Sequence, residues 1–158
     1  MAIGRRSLVM AGLAMPALAV PMAARAEARS LVQVWRDPNC GCCHLWIPHL
    51  QAAGFAVQDN PVRPLHGWRR MLGIPADLLS CHVARVEGFA LEGHVPPLAI
   101  RRLLAERPAG VRGLAVPGMP VGSPGMEVPG VAPETYDVIA FGTGPHQVFM
   151  RFRGGEPA

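Results

Sequence analysis

Cys40-Gly41-Cys42-Cys43 places three thiols within four residues, and a fourth, Cys81, stands alone much farther along the chain. The triplet holds two spacings at once. Cys40-x-x-Cys43 is the spacing of a redox pair, while Cys40-x-Cys42 with Cys43 adjacent suits a soft metal ion, and both chemistries run through thiolates. A helix N-terminus lowers a thiol pKa through its exposed N–H groups and dipole, which favours nucleophilic attack and metal ligation alike.

Four is an even number of cysteines, so in an oxidising compartment a disulfide framework is the plain alternative. The spacing argues for reactivity instead. A bridge between Cys40 and Cys43 closes a loop too small to constrain the unfolded chain much, and one between the adjacent Cys42 and Cys43 is strained. Structural zinc usually draws its ligands as two separated pairs, whereas three thiols are crowded into one turn here. Crowded thiolates favour Cu(I), a soft ion that accepts low coordination numbers and can be bridged by sulfur into a multinuclear cluster. Cys81 would supply the fourth sulfur.

The elements around these thiols follow from the apolar pattern. Residues 31–35 form a short β-branched run that ends at Asp37-Pro38-Asn39, so a strand leads into the triplet. Leu45, Trp46, Leu50 and Ala53 then recur at helical spacing and Gly54 supplies a stop, which puts the cysteines at a helix N-terminus. Pro48 lies inside that pattern, and its missing N–H and its ring predict either a kink or a late start to the regular helix. A strand-like run at 55–57 and a short helix carrying Leu65, Trp68 and Leu72 come next, before Ser80-Cys81-His82. Residues 83–86 and 89–95 flank Glu87-Gly88 as a hairpin, and Pro96-Pro97 opens a helix with Leu98, Ile100, Leu103 and Leu104. Residues 113–137 are rich in proline and glycine and read as a long loop holding Met119 and Met126. Residues 138–141 and 147–152 read as a terminal hairpin, with 154–158 as a frayed tail. This order predicts a small α/β sandwich of the thioredoxin type, a mixed sheet flanked by helices.

The N-terminus carries Arg5 and Arg6, an apolar run over 8–24 broken by Pro16 and Pro21, and the small-residue pattern Ala24-Arg25-Ala26. Residues 1–26 therefore read as a cleaved signal peptide, of the general or the twin-arginine type, rather than a membrane span. Residues 27–153 make one domain, exported to the periplasm. Removing 1–26 takes away three arginines and no acid, leaving twelve cations against eleven anions. The arginines are scattered singly or as Arg69/Arg70 and Arg101/Arg102, so a nucleic-acid role has no electrostatic footprint.

The sequence resembles the CopG-like copper-resistance family of bacterial periplasmic proteins. The likeness rests on Cys40-Gly41-Cys42-Cys43 before a Trp-containing helix, on Ser80-Cys81-His82, on Glu92-Gly93-His94-Val95-Pro96, and on the segment from Gly113 through Met119-Pro120 to Met126-Glu127. It implies a thioredoxin-like fold in which the loop before the third strand packs beside the first helix and brings Cys81 to the triplet. It also implies copper binding by Cys40, Cys42, Cys43 and Cys81. Pro48 departs from the polar residue expected at that point of the pattern, and His44 is not part of it.

His82 and His94 are candidates for further ligands or proton-handling groups, since imidazole is the commonest non-thiol ligand of Cu(II) and Zn(II). Met119 and Met126 are candidates for weak soft ligands over a Cu(I) site. Trp35, Trp46 and Trp68 read as packing, and His49, His66 and His146 as solvent-facing. The expected function is Cu(I) binding, at more than one ion, to buffer or relay copper or to couple its redox change in the envelope, with other envelope copper-handling proteins as candidate partners. The rival is a thiol-disulfide oxidoreductase using Cys40 and Cys43.

Overall fold

The computed structural model describes residues 29–158, so the export segment read at 1–26 lies outside the described residues. In chain order the elements are β1 (Leu31–Arg36), α1 (Cys43–Ala52), β2 (Ala56–Pro61), α2 (His66–Leu72), a 3-10 turn (Ala76–Leu78), β3 (His82–Val86), β4 (Phe89–Glu92), α3 (Pro97–Glu106), β5 (Val111–Ala115), β6 (Thr135–Gly142), β7 (Gln147–Arg153) and β8 (Glu156–Pro157). The fold is α/β. Among the described residues, no helix is long and apolar enough to cross a membrane.

All the strands join one mixed sheet in the order β2-β1-β3-β4-β5-β6-β7-β8. β1 with β2 and β4 with β5 are parallel pairs, and the others are antiparallel. Parallel neighbours need a crossover, and α1 and α3 provide the two. Because successive strand residues point to opposite faces, the sheet has two cores. On one face Trp46 and Leu50 of α1 and Ile100 and Leu103 of α3 cover Val32, Val34, Ala84, Leu91 and Leu114. On the other, Leu78 and the partly buried Leu72 and Ile74 cover Ala90, Ala115 and Phe141.

Pro48 lies inside α1, and the helix runs from Cys43 through it, neither starting after it nor ending at it. Burial of Trp46 and Leu50 on either side holds the helix where the missing N–H would loosen it. α2 has no fully buried residue and ends on Gly73 at φ 67°, with the Gly73 and Ile74 amides bonded back to Arg70 and Arg69. It is held to the sheet by the stack of Trp68 on Trp35, whose ring centroids are 4.2 Å apart.

Two readings of the sequence need correction. The segment expected as one loop over 113–137 begins inside a strand, because β5 occupies the sheet between β4 and β6 and the irregular part is 116–134. Its Arg112-Gly113 pair disguises it, yet glycine is required there: a Cβ would sit 2.2 Å from the Ala90 carbonyl oxygen and 2.5 Å from Phe141 Cζ. The tail expected to fray is instead turned back at Gly154-Gly155 to form β8 against β7. The buried Tyr136 hydroxyl donates to the Gly154 carbonyl at 2.6 Å, which fixes that turn.

Gly113→Ala is therefore expected to destabilise the chain by about 1–3 kcal/mol through overpacking, read as a lower urea midpoint with an unchanged slope. An unchanged midpoint would show that β4 and β5 can separate without cost.

Candidate metal centre

Strand register gathers the cysteines. β1 ends at Arg36, directly across from His82 at the start of the antiparallel β3. The residue before β3, Cys81, therefore stands beside the turn that follows β1. That turn is pinned by the Asn39 amide donating to Asp37 Oδ1 at 2.8 Å and the Cys40 amide donating to the Asp37 carbonyl at 3.0 Å. It delivers Cys42 to the N-cap position of α1 and Cys43 to its first turn.

The four sulfurs lie within 4.8 Å of one another. Cys40 and Cys43 are joined by a disulfide, and Cys42 and Cys81 are free thiols. Cys42 Sγ is 3.5 Å from Cys40 Sγ and 3.8 Å from Cys81 Sγ. Cys43 is fully buried and its sulfur lies 3.6 Å from the Cys81 carbonyl oxygen.

A second donor group shares Cys81. His82 Nδ1 lies 3.3 Å and His94 Nε2 3.1 Å from Cys81 Sγ, and both rings are fully buried. His94 Nδ1 donates to the Pro124 carbonyl at 2.8 Å, because a carbonyl can only accept. In the neutral ring Nε2 is then the bare nitrogen, aimed at the thiol. His82 Nε2 is a buried polar atom with no hydrogen-bond partner. Burial first, and then the neighbouring Cys42 thiol, push the Cys81 thiol up to about 12. Burial also holds both imidazoles below the ordinary histidine value, His82 well below it. The pocket thus favours a protonated thiol against neutral imidazoles until a cation replaces the proton.

Backbone around Cys81 is clamped from the other face. Glu92, fully buried at the end of β4, accepts from Arg69 Nη2 at 2.7 Å, from Arg69 Nε at 3.1 Å and from the Ser80 amide at 2.7 Å. Arg69 Nη2 also donates to the Ser80 carbonyl at 2.6 Å. Burial raises the Glu92 pKa, and the Arg69 and Ser80 contacts oppose that rise. Gly93, at φ +74°, then turns the chain so that His94 faces the thiol, and a Cβ there would meet Ser80 at 2.6 Å. The loop after β5 closes the site, with residues 122–125 buried against α1. A Cβ on Gly125 would sit 2.7 Å from the Trp46 backbone nitrogen.

Of the residues singled out from sequence, Cys40, Cys42, Cys43, Cys81, His82 and His94 converge. Met119 joins them at the rim, its Sδ 4.0 Å from Cys42 Sγ and its side chain largely exposed. Met126 takes part through its backbone, which closes a turn with Gly122 and Ser123; its sulfur enters none of the hydrogen bonds of the cluster. Trp46 is buried and its indole N–H donates to the Val95 carbonyl at 2.9 Å. His66 and His146 are exposed, and His49 is half-buried with Nε2 3.1 Å from Glu127. Arg69, Glu92 and the Pro124 carbonyl are site groups that the sequence reading does not assign. An acid ending an apolar strand was the available signal for Glu92; a carbonyl offers none.

Four cysteine sulfurs and two imidazoles, gathered at one end of an α/β sheet, are donor types that suit a soft metal ion. The family model described as a protein of unknown function, DUF411, matches residues 78–126. Two solved structures, copper resistance protein CopG in form 1 and form 2, are each 40% identical with a TM-score of 0.73. The first covers 80% of this chain and 100% of its own, the second 79% and 99%. Comparison with the curated proteins finds no match. The chain belongs to the CopG-like copper-resistance family.

Two outcomes follow from this geometry. Arg69→Ala strands the buried Glu92 carboxylate and is expected to cost about 3–5 kcal/mol, measured by urea unfolding; a loss below the error of that measurement would show that the clamp carries no charge. In the metal-free chain, the unfolded state takes up protons at His82 and His94 around their ordinary value of 6.5 while the folded state resists. Stability therefore falls as the pH drops from about 7 to 5. Glu92, raised by burial, acts in the opposite sense, so the histidine share is the difference between wild type and the His82→Asn/His94→Asn variant, whose profile should be flatter. Parallel profiles would refute it.

Proposed function

We propose that this chain binds copper as Cu(I) through the thiolates of Cys40, Cys42, Cys43 and Cys81, with more than one ion held by bridging sulfurs. The observation that carries this reading is the convergence of the four sulfurs within 4.8 Å from two separate segments of chain. Sulfurs bonded to one ion at about 2.3 Å stand no farther apart than roughly 4.6 Å, so the cluster as a whole is close to ligating size. The full set requires the Cys40–Cys43 bond to be reduced. Copper would supply thiolate-bridged, redox-capable chemistry, and the residues would hold it: His82 and His94 as inner nitrogen donors or as partners of Cys81, and Met119 at the outer rim.

The setting that fits is the periplasm, with residues 1–26 as the export signal and 27–153 as the working domain. The role is buffering, relay or redox handling of copper in resistance, in exchange with other envelope copper-handling proteins. The names of the two CopG structures support it. A thioredoxin-like core is supported by the β1-α1-β2 unit followed by β3-β4-α3, in the strand order β2-β1-β3-β4.

A second reading has its own observation. The disulfide joins Cys40 and Cys43, the pair that a thiol-disulfide oxidoreductase would use. That reading predicts turnover of a disulfide substrate that vanishes with Cys43→Ser.

Anaerobic Cu(I) titration of the reduced chain decides between them. Uptake of more than one equivalent, abolished when all four cysteines are replaced by serine, is expected. No uptake, or uptake unchanged in the fourfold variant, would sink the copper reading; disulfide turnover without copper uptake would establish the rival.

A further inference from the structure

With Cys40 and Cys43 bonded to each other, two thiols of the cluster stay free, and they are adjacent: Cys42 Sγ and Cys81 Sγ are 3.8 Å apart. Two sulfurs bonded to one ion at about 2.3 Å with an angle of 110–120° are separated by about 3.8–4.0 Å. The free pair therefore has the spacing of two ligands on a single ion before any side chain moves. A third soft donor lies on the solvent side, Met119 Sδ at 4.0 Å from Cys42 Sγ, the separation expected of two sulfurs sharing an ion. On the interior side His94 Nε2 stands 3.1 Å from Cys81 Sγ, held in place by its Nδ1 bond to the Pro124 carbonyl. His82 Nε2 is in addition a buried nitrogen without a hydrogen-bond partner.

We propose that the disulfide form of this chain keeps a copper site of its own, one Cu(I) held by Cys42 and Cys81 with Met119 as the outer donor. The inference rests on the copper reading above but concerns a different oxidation state of the protein. Binding exchanges ligands without electron transfer: two thiol protons leave to solvent as two Cu–S bonds form, and the Cys40–Cys43 bond is untouched. Low coordination number and soft ligands suit Cu(I) and disfavour the harder divalent ions. The consequence is a graded store. With the Cys40–Cys43 bond closed the cluster offers two thiolates, with it open four, and the ion of the disulfide form sits at the half that faces Met119.

The test uses the full chain in two states, reduced and with the Cys40–Cys43 bond closed, the second verified by a count of two free thiols and by peptide mapping. Each is titrated anaerobically with Cu(I) against a competing chelator, and the copper X-ray absorption spectrum is recorded. About one equivalent is expected in the disulfide form, with sulfur as the dominant ligand at roughly 2.2–2.3 Å. Cys42→Ser, at a half-exposed position outside the core, and Cys81→Ser should each weaken that site by roughly 100-fold or more, and Met119→Leu by about 10-fold. Retention of native circular dichroism in Cys42→Ser keeps a folding defect from mimicking the result. No uptake by the disulfide form, or uptake indifferent to Cys42→Ser, or closure of a second bond between Cys42 and Cys81, overturns the inference; an unchanged affinity in Met119→Leu removes Met119 from it. Uptake by the reduced chain alone leaves the copper reading standing while this inference fails, and uptake by neither state ends both.

Discussion

Backbone pairing between β1 and β3 sets the position of everything chemical in this molecule. Because the two strands run antiparallel with Arg36 across from His82, the end of one and the beginning of the other meet at one end of the sheet. β4 is antiparallel to β3 and places Glu92 across from Val83, so it also finishes at that end. β5 is parallel to β4 and pairs Ala115 with Glu92, so the loop that follows it leaves from the same place. Four chain segments thus converge on the start of α1: the cysteine turn, Cys81-His82, Gly93-His94 and the proline-glycine loop. A register shift of one residue would move every side chain to the opposite face and disperse the donors.

Register alone does not hold a thiol in place, and the Arg69–Glu92 pair supplies the rest. Glu92 is buried where an uncompensated carboxylate would be costly, and its compensation comes from Arg69 and the Ser80 amide; Arg69 also donates to the Ser80 carbonyl, so both backbone groups of the residue before Cys81 are held. α2 has no fully buried residue; Trp68 and Leu72 pack it on the sheet, and it delivers Arg69 to the buried Glu92. Across the site, the buried stretch 122–125 supplies the Pro124 carbonyl that orients His94. Glycine at 125 lets that stretch approach the α1 backbone more closely than any side chain would allow. The long loop is therefore a wall of the site, and its exposed portion at Met119 is the edge open to solvent.

Local structure was legible where its causes are local. The strand into the triplet, the α1 periodicity, the Glu87-Gly88 hairpin and the Pro97 helix start all follow from a few adjacent residues, and each is present. β5 was not legible, because Val111-Arg112-Gly113 lacks an apolar alternation and its glycine answers to Ala90 and Phe141 on neighbouring strands. The pairing of the last residues with β7 was hidden for a related reason: it depends on the buried hydroxyl of Tyr136, a residue of β6 eighteen positions before Gly154. Pro48 predicts a disturbed helix, and burial of Trp46 and Leu50 outweighs the one bond it removes.

By itself, the sequence determined the thiol triplet and its place at a helix start, since spacing and capping act within a turn or two of chain. It also carried, through four motifs in order, the family to which the chain belongs. Only the tertiary structure decided that Cys81 stands 3.8 Å from Cys42, that His82 and His94 share its sulfur, and that Arg69 and Glu92 fix the backbone beside it. These are contacts between residues far apart in the chain. Their geometry is set by strand register and by the balance of buried charge, and neither quantity is written in any single stretch of residues.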